Sequence, residues 1–124
     1  MKAIFSRIPG WIKVIALLVT VVAGFSWIDF SPDVDFNTQV KPIINKHCIS
    51  CHGGVTAKGG FSMLFREEAL APTQSGKPAI VPGHPGQSDM IRRLTLTDPE
   101  ERMPYKHAPL SDDEIKILTR WVKQ

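Results

Sequence analysis

Cysteine is scarce in this sequence: the 124 residues include two, Cys48 and Cys51. A structural zinc site commonly takes two pairs of cysteines, and no second pair at metal-ligand spacing is present. The histidines that could complete a zinc site are His47, His52, His84 and His107. A disulfide between residues three apart closes only a small ring and would stabilise the fold little through chain entropy. The scarcity of cysteine therefore disfavours a zinc module and a disulfide scaffold.

The chain after its N-terminus also lacks an excess of positive charge. The net charge is +3, from fifteen basic and twelve acidic residues. Lys2, Arg7 and Lys13 precede the first acidic residue, Asp29, and the other twelve basic residues balance the twelve acidic ones. A nucleic-acid-binding domain would carry the excess on its folded part. We therefore expect no nucleic-acid partner.

The basic N-terminus is followed by an apolar run without charge, residues 14–28. Trp11 and Trp27 flank this run, as aromatic residues do at membrane interfaces. The pattern predicts a membrane anchor in residues 1–30. Since positive charges stay in the cytoplasm, residues 31–124 should form a domain on the outer side of the cytoplasmic membrane, in the periplasm or outside the cell.

A cleaved signal peptide is the alternative for the same segment. From Trp11 to Ile28 the segment has eighteen residues, near the lower end for a spanning helix. The small residues Ala23, Gly24 and Ser26 would suit a signal peptidase. We favour a single-pass anchor on the length of the segment, and either outcome places the cysteines in an exported domain.

The two cysteines are followed at once by a histidine, in the pattern Cys-x-x-Cys-His. In an exported protein this pattern is specific for covalent haem, because the two thiols bond the vinyl groups and the histidine binds the iron. A thioredoxin-like redox pair would follow a strand and open a helix in a βαβ unit, and the sequence has no such unit. The motif predicts one haem c, attached to Cys48 and Cys51, with His52 as an axial ligand.

Ahead of the motif, apolar residues recur at helical spacing in residues 36–44. Ser31 or Asp35 would be the N-cap of this helix. Pro42 lies inside the pattern and should kink the helix or mark a restart. An amphipathic helix that packs on a core is also what a haem protein needs at this position.

Two further helices are predicted after the motif. Ser88 should cap a short helix that stops before Pro99. The last helix begins after Ser111, which has Glu114 three positions later in a capping box. Most other residues between 53 and 109 are predicted to form loops, which a large apolar ligand such as haem would stabilise.

A second axial ligand is needed on the other face of the iron. The candidates are Met63, Met90, Met103, His47, His84 and His107. Met103 is favoured because it lies in a polar loop, where an apolar side chain has little reason to be, and because Pro104 forces it into extended backbone. Pairs of histidine and methionine are also common in electron-transfer haems. His107 and His84 are the alternatives.

The sequence resembles class I c-type cytochromes and, among them, the planctomycete-type cytochrome c domain. The resemblance covers residues 36–122 and is carried by the segments "FNTQVKPIINKHCISCHGG", "KGGFSMLFREEAL", "PAIVPGHPGQSDMIRRLTL", "ERMP" and "PLSDDEIKILTRWV". It implies the cytochrome c fold, mainly α, with three or more short helices and long loops around one haem. Here that domain would lie behind one N-terminal transmembrane helix. It also implies thioether bonds at both cysteines of the motif and axial ligation by His52 and Met103.

The resemblance further implies that the first and last helices cross beside the haem edge, so that Phe36 and Trp121 contact the haem. Arg92 is a candidate partner of a haem propionate, since a buried carboxylate favours a charged donor. A solvated helix face is the alternative for this arginine and for Arg93. Tyr105 stands where a second proline is common in such domains.

Haem iron with both axial positions filled by protein has no free site for oxygen or substrate, which leaves one-electron transfer. We therefore expect a membrane-anchored electron carrier, not an enzyme, with a redox protein as donor and another as acceptor, in a membrane complex. One alternative is a dedicated cytochrome subunit of a larger respiratory or photosynthetic complex. Another is a haem sensor or haem enzyme, if the distal position is open.

Overall fold

The computed structural model describes Pro9, Trp11 and residues 32–124. The predicted membrane anchor, residues 1–30, therefore lies almost entirely outside the described residues. Among the residues that are described, no helix is both long and apolar enough to cross a membrane. Residues Asp33–Gln124 form one compact unit, which contains the Cys-x-x-Cys-His motif.

Within the described residues, five α-helices account for most of the regular structure. They are α1 (Lys41–His47), α2 (Ile49–His52), α3 (Arg66–Leu70), α4 (Asp89–Leu94) and α5 (Asp112–Lys123). A π-helical turn, Phe36–Val40, precedes α1, and 3-10 turns lie at Lys58–Gly60 and Pro85–Gln87. A two-residue strand, β1 (Thr56–Ala57), pairs antiparallel with the end of α2. The predicted mainly helical fold class is thus confirmed for this part of the chain.

The first helical segment begins and restarts where the sequence indicates. Asp35 is its N-cap, and its Oδ1 atom accepts from the Thr38 amide at 2.7 Å. Pro42 lies in the first turn of α1, so the chain passes from the π-helical turn into a new α-helix there. A proline fits this position because the first helical amides have no partner within the helix. Val40 and Ile44 turn inward and are 0% and 4% exposed.

Helix α5 confirms the predicted capping box. The Ser111 Oγ atom accepts from the Glu114 amide at 3.3 Å, and the Glu114 carboxylate accepts from the Ser111 amide at 2.9 Å. Both groups would otherwise be unpaired backbone donors at the start of the helix. One face of the helix then packs on the core through Leu118 and Val122, which are 1% and 4% exposed.

Helix α4 begins after Ser88, as predicted, but the Ser88 hydroxyl does not cap it. Its Oγ atom accepts from the Val81 amide at 2.9 Å and donates to the His84 carbonyl at 3.1 Å. Ser88 is 1% exposed, so this hydroxyl closes the loop before the helix from within the protein. The helix ends at Leu94, earlier than the boundary at Pro99 suggested.

The core lies between the first helical segment, α4 and α5. Its buried apolar residues are Val34, Val40, Ile43, Ile44, Phe61, Ala79, Ile80, Ile91, Leu94, Leu110, Leu118 and Val122. The beginning and end of the unit are also joined: the Val34 amide donates to Gln124 Oε1 at 2.7 Å, and Gln124 Nε2 donates to the Val34 carbonyl at 2.8 Å. The long segment between 53 and 109, predicted to be mostly loops, contains β1 and α3 in addition to α4.

Candidate haem site

The Cys-x-x-Cys-His motif lies on one short helix. Helix α1 ends at His47, and the Cys48 amide still donates to the Ile44 carbonyl at 2.8 Å. Cys48 is then the N-cap of α2, and its carbonyl accepts from the amides of Cys51 at 3.1 Å and His52 at 2.9 Å. Residues three and four apart on a helix share a face. Cys48, Cys51 and His52 therefore lie on the same side, and all three line one cavity.

The His52 ring is fixed by Phe61. Its Nδ1 atom lies 3.2 Å from the Phe61 carbonyl oxygen, and the two ring centroids are 5.1 Å apart. With Nδ1–H donated to a carbonyl, the neutral imidazole offers Nε2 as its ligand atom, as metal-binding histidines commonly do. The acceptor is a backbone carbonyl, so no residue type marks it in the sequence.

Two glycines directly after His52 allow the chain to turn back. An added Cβ at Gly53 would lie 2.6 Å from the Ile49 carbonyl oxygen, so no larger residue fits there. Gly54 has a φ of 64°, a backbone conformation that glycine adopts without steric cost. The turn pairs Thr56 with Gly53 and lets the following segment reach the His52 ring.

The cavity has a volume of about 570 Å³. Pockets that hold small molecules and cofactors measure roughly 300–1,000 Å³. Apolar side chains from α1, α4, α5 and the loops contribute to its wall: Ile44, Phe61, Ala79, Leu94 and Leu118. A largely apolar space with two thiols and an imidazole in one wall fits a haem that is bonded to the chain.

The cavity also gathers most of the candidates for the second axial position. Those that line it are Met63, Met90, Met103, His47 and His107. His84 is not among the lining residues. His47 is engaged elsewhere, since its Nε2 atom lies 3.1 Å from the Glu114 carboxylate. Three methionines and His107 thus remain as candidates by position.

The segment that contains Met103, residues 98–109, is called the Met103 loop, and it is attached to helix α4 through Arg93. The Met103 amide donates to the Arg93 carbonyl at 3.0 Å, and Arg93 Nη1 donates to the Glu101 carbonyl at 3.3 Å. Within the loop, Arg102 Nη2 donates to the His107 carbonyl at 2.9 Å. A cis peptide bond joins Met103 to Pro104, and both residues line the cavity.

The two thiols are free, and Cys48 has the environment of an unreactive cysteine. Burial raises the pKa of the Cys48 thiol to about 11, so it is protonated at neutral pH. Catalytic and redox cysteines instead have lowered pKa values, which the thiolate requires. The described residues include both cysteines and all four histidines, and among them no group of three or more His, Cys, Asp or Glu could hold a metal ion. The protonated Cys48 thiol disfavours the thiol–disulfide alternative.

Three expected haem contacts do not line the cavity: Phe36, Arg92 and Trp121. Phe36 and Trp121 instead pack on each other, with ring centroids 5.7 Å apart, where the π-helical turn and α5 meet. The Arg92 side chain is 45% exposed and its Nε atom bonds the Asp89 carboxylate at 2.7 Å. Its neighbour Arg93 lines the cavity in its place, as does Asp89. The sequence offered no means to choose between two adjacent arginines on a short helix.

A mainly helical domain with this motif in the wall of a cofactor-sized cavity has the features of a c-type cytochrome. Residues 48–106 match the family model described as Planctomycete cytochrome C. The match confirms the predicted resemblance, over a shorter range than residues 36–122. No curated protein and no solved structure matches the chain. This similarity to the family model indicates a haem-binding protein that transfers electrons and has redox partners.

Proposed function

We propose that the protein is a membrane-anchored monohaem c-type cytochrome that carries single electrons on the outer side of the cytoplasmic membrane. Its haem would be bonded to Cys48 and Cys51 and ligated by His52 and Met103. The observation that carries this proposal is that all four side chains line one cavity. Residues 1–30 would be the anchor and residues 31–124 the haem domain.

Each residue of the site has a separate task in this proposal. The two cysteine thiols hold the haem covalently, so that the cofactor cannot dissociate. His52 binds from a fixed direction because the Phe61 carbonyl holds its Nδ1 atom at 3.2 Å. Haem c supplies one-electron iron redox chemistry when it is bound, and a methionine ligand raises its potential relative to a second histidine.

Met103 is preferred over the other two methionines for structural reasons. The Met63 amide donates to the His52 carbonyl at 2.7 Å, which ties Met63 to the side of the cavity that His52 occupies. A ligand on the other face of the iron has to come from another part of the wall. Met90 lies in the first turn of α4, and a methionine on a helix face is usually a packing residue. Met103 is presented from a loop that is held by hydrogen bonds on both sides of it.

The proposed location depends on the sequence before residue 32. Three basic residues precede the apolar run of residues 14–28, so the haem domain would face away from the cytoplasm. A tether raises the local concentration of the domain around partners in the same membrane. Docking to a donor and an acceptor would then need only a weak, transient interface.

Fractionation of cells that express the full chain with export and haem-maturation machinery tests the proposal. The haem-stained band should sediment with the membranes and resist extraction by high salt, and protease added to spheroplasts should digest the haem domain. A haem protein released as a shorter, soluble chain would show that the N-terminal segment is a cleaved signal. Co-purification with a stable membrane complex after detergent extraction would identify a dedicated subunit instead of a free carrier.

A further inference from the structure

We propose that Arg93 is a positioning residue that holds the Met103 loop against helix α4 and so maintains the second axial ligand. This inference rests on the proposed ligation by Met103. Arg93 is one of the residues that line the cavity, whereas its neighbour Arg92 is not. Arg92 has the same charge, so the position of Arg93 distinguishes it for this role.

Arg93 meets the loop at two points. Its carbonyl oxygen accepts from the Met103 amide at 3.0 Å, and its Nη1 atom donates to the Glu101 carbonyl at 3.3 Å. The two loop residues lie on either side of Arg102. One residue of α4 therefore fixes the segment from Glu101 to Met103 with both its backbone and its side chain.

The guanidinium group of Arg93 is itself held in place by Asp89. Arg93 Nε bonds Asp89 Oδ2 at 2.7 Å, one helical turn away. The Asp89 side chain is 11% exposed and the Arg93 side chain 34%. Burial raises the pKa of Asp89, but the hydrogen bonds from Arg93 and Arg92 outweigh it, so the pKa lies below its usual value. The carboxylate stays ionised at neutral pH and keeps the Arg93 guanidinium group directed at the Met103 loop.

Arg92 provides a matched control within the same helix. It has the same charge and bonds the same carboxylate, with Nε 2.7 Å from Asp89 Oδ1. Among the residues described, however, Arg92 neither lines the cavity nor has a hydrogen bond from its side chain to the Met103 loop. Loss of either arginine removes one positive charge and one bond to Asp89. Only loss of Arg93 removes a side-chain attachment of the loop.

The functional consequence concerns the fraction of molecules in which the methionine is bound. Without the Arg93 guanidinium group, the Met103 loop gains conformational freedom. The state in which Met103 is not bound to the iron then becomes more populated. An added ligand such as imidazole binds iron only in that state, so its apparent affinity rises in proportion to that population. The loss of a charge-assisted hydrogen bond of this kind changes such an equilibrium by about tenfold.

The test uses the haem-loaded wild type and three variants, Arg93→Gln, Arg93→Lys and Arg92→Gln. Imidazole binding to the ferric protein is measured by titration, and the near-infrared charge-transfer band that marks a methionine–iron bond is followed in parallel. We expect about tenfold tighter apparent imidazole binding and a weaker band for Arg93→Gln. Arg92→Gln should stay close to the wild type. Thermal unfolding of the variants separates this effect from a general loss of stability.

Arg93→Lys keeps the charge but cannot bond Asp89 and the Glu101 carbonyl with one planar fork. We expect its imidazole affinity and near-infrared band to resemble those of Arg93→Gln. Because Arg93→Lys retains the positive charge beside Asp89, it also serves as the test variant if Arg93→Gln does not fold. Equal imidazole affinities in Arg93→Gln and Arg92→Gln would overturn the inference, as would wild-type behaviour of Arg93→Lys. A wild type without the methionine–iron band would instead remove the proposed ligation, and this inference with it.

Discussion

The Nδ1 atom of His52 lies 3.2 Å from the carbonyl oxygen of Phe61, nine residues further along the chain. This contact connects the attachment helix to the segment that returns after the glycine turn. It leaves Nε2 of the same ring as the atom available to a metal. His52 would thus bind iron in an orientation set by the protein before the cofactor is present.

Replacing the cysteines one at a time should show the contribution of each thioether bond to haem attachment. In Cys48→Ala or Cys51→Ala, one thioether remains, so haem should stay attached at lower yield with a shifted α-band in the pyridine haemochrome spectrum. The double variant should lose all covalent haem. Ser50→Ala is the control, since Ser50 lies between the cysteines and also lines the cavity. Covalent haem at the wild-type level in the double variant would contradict this assignment.

Three methionine-to-leucine variants can identify the second axial ligand, because leucine has a similar volume and should preserve the fold. Met103→Leu should abolish the near-infrared methionine–iron band, lower the midpoint potential and allow the ferrous protein to bind carbon monoxide. Met63→Leu and Met90→Leu should retain the band, although both residues line the cavity. Loss of the band in Met90→Leu, with its retention in Met103→Leu, would transfer the assignment to Met90.

Ser88 should contribute more to the free energy of unfolding than an exposed side chain of similar size. Its hydroxyl is buried and joins the Val81 amide to the His84 carbonyl. In Ser88→Ala both backbone groups lose a partner, which should cost about 1–3 kcal/mol in the free energy of unfolding. Urea titration of the haem-loaded protein measures the cost. Thr97→Ala, at an exposed loop position outside the haem cavity, should change the free energy of unfolding by less than about 0.5 kcal/mol.

Glu114 should make the stability of the protein sensitive to acid. The Ser111 amide, followed by His47 and Lys46, donates hydrogen bonds that lower the pKa of Glu114 from 4.5 to about 2, although burial opposes them. Because the folded state favours the ionised form, this stabilisation is complete above pH 4.5 and is lost as the pH falls toward about 2. The free energy of unfolding should therefore decrease over that window.

Glu114→Gln tests this pH dependence because glutamine can still complete the capping box. The variant should be less stable than the wild type at pH 7, and the difference should shrink as the pH falls below 4.5. Asp113→Asn is the control, since the Asp113 side chain is 88% exposed. A constant difference between Glu114→Gln and the wild type across the window would show that the charge of Glu114 has no such role.

Local sequence signals predicted the helix starts well. Asp35, Pro42 and Ser111 act within one or two turns of the chain, through the geometry of helix ends, and each lies where expected. The spacing of the motif likewise requires only one turn of helix to bring its three side chains to one side. Such features depend on neighbours in the sequence and can be derived from it.

The features that the sequence did not predict depend on contacts between distant segments. The Ser88 hydroxyl bonds a loop instead of its own helix because that loop folds over it. The acceptor for His52 is a backbone carbonyl, which every residue has. Whether Arg92 or Arg93 meets the Met103 loop depends on the rotation of a six-residue helix about its axis, and the packing of the fold decides that rotation.

The central claim is that haem is bonded to Cys48 and Cys51, and one spectrum tests it most directly. The full chain is expressed with export and haem-maturation machinery, extracted with acidified acetone, and its alkaline pyridine haemochrome is recorded. The account predicts one c-type haem per chain that remains with the protein after extraction. Protein without haem, or haem that the acetone removes, would contradict the account and return both cysteines to thiol or metal chemistry.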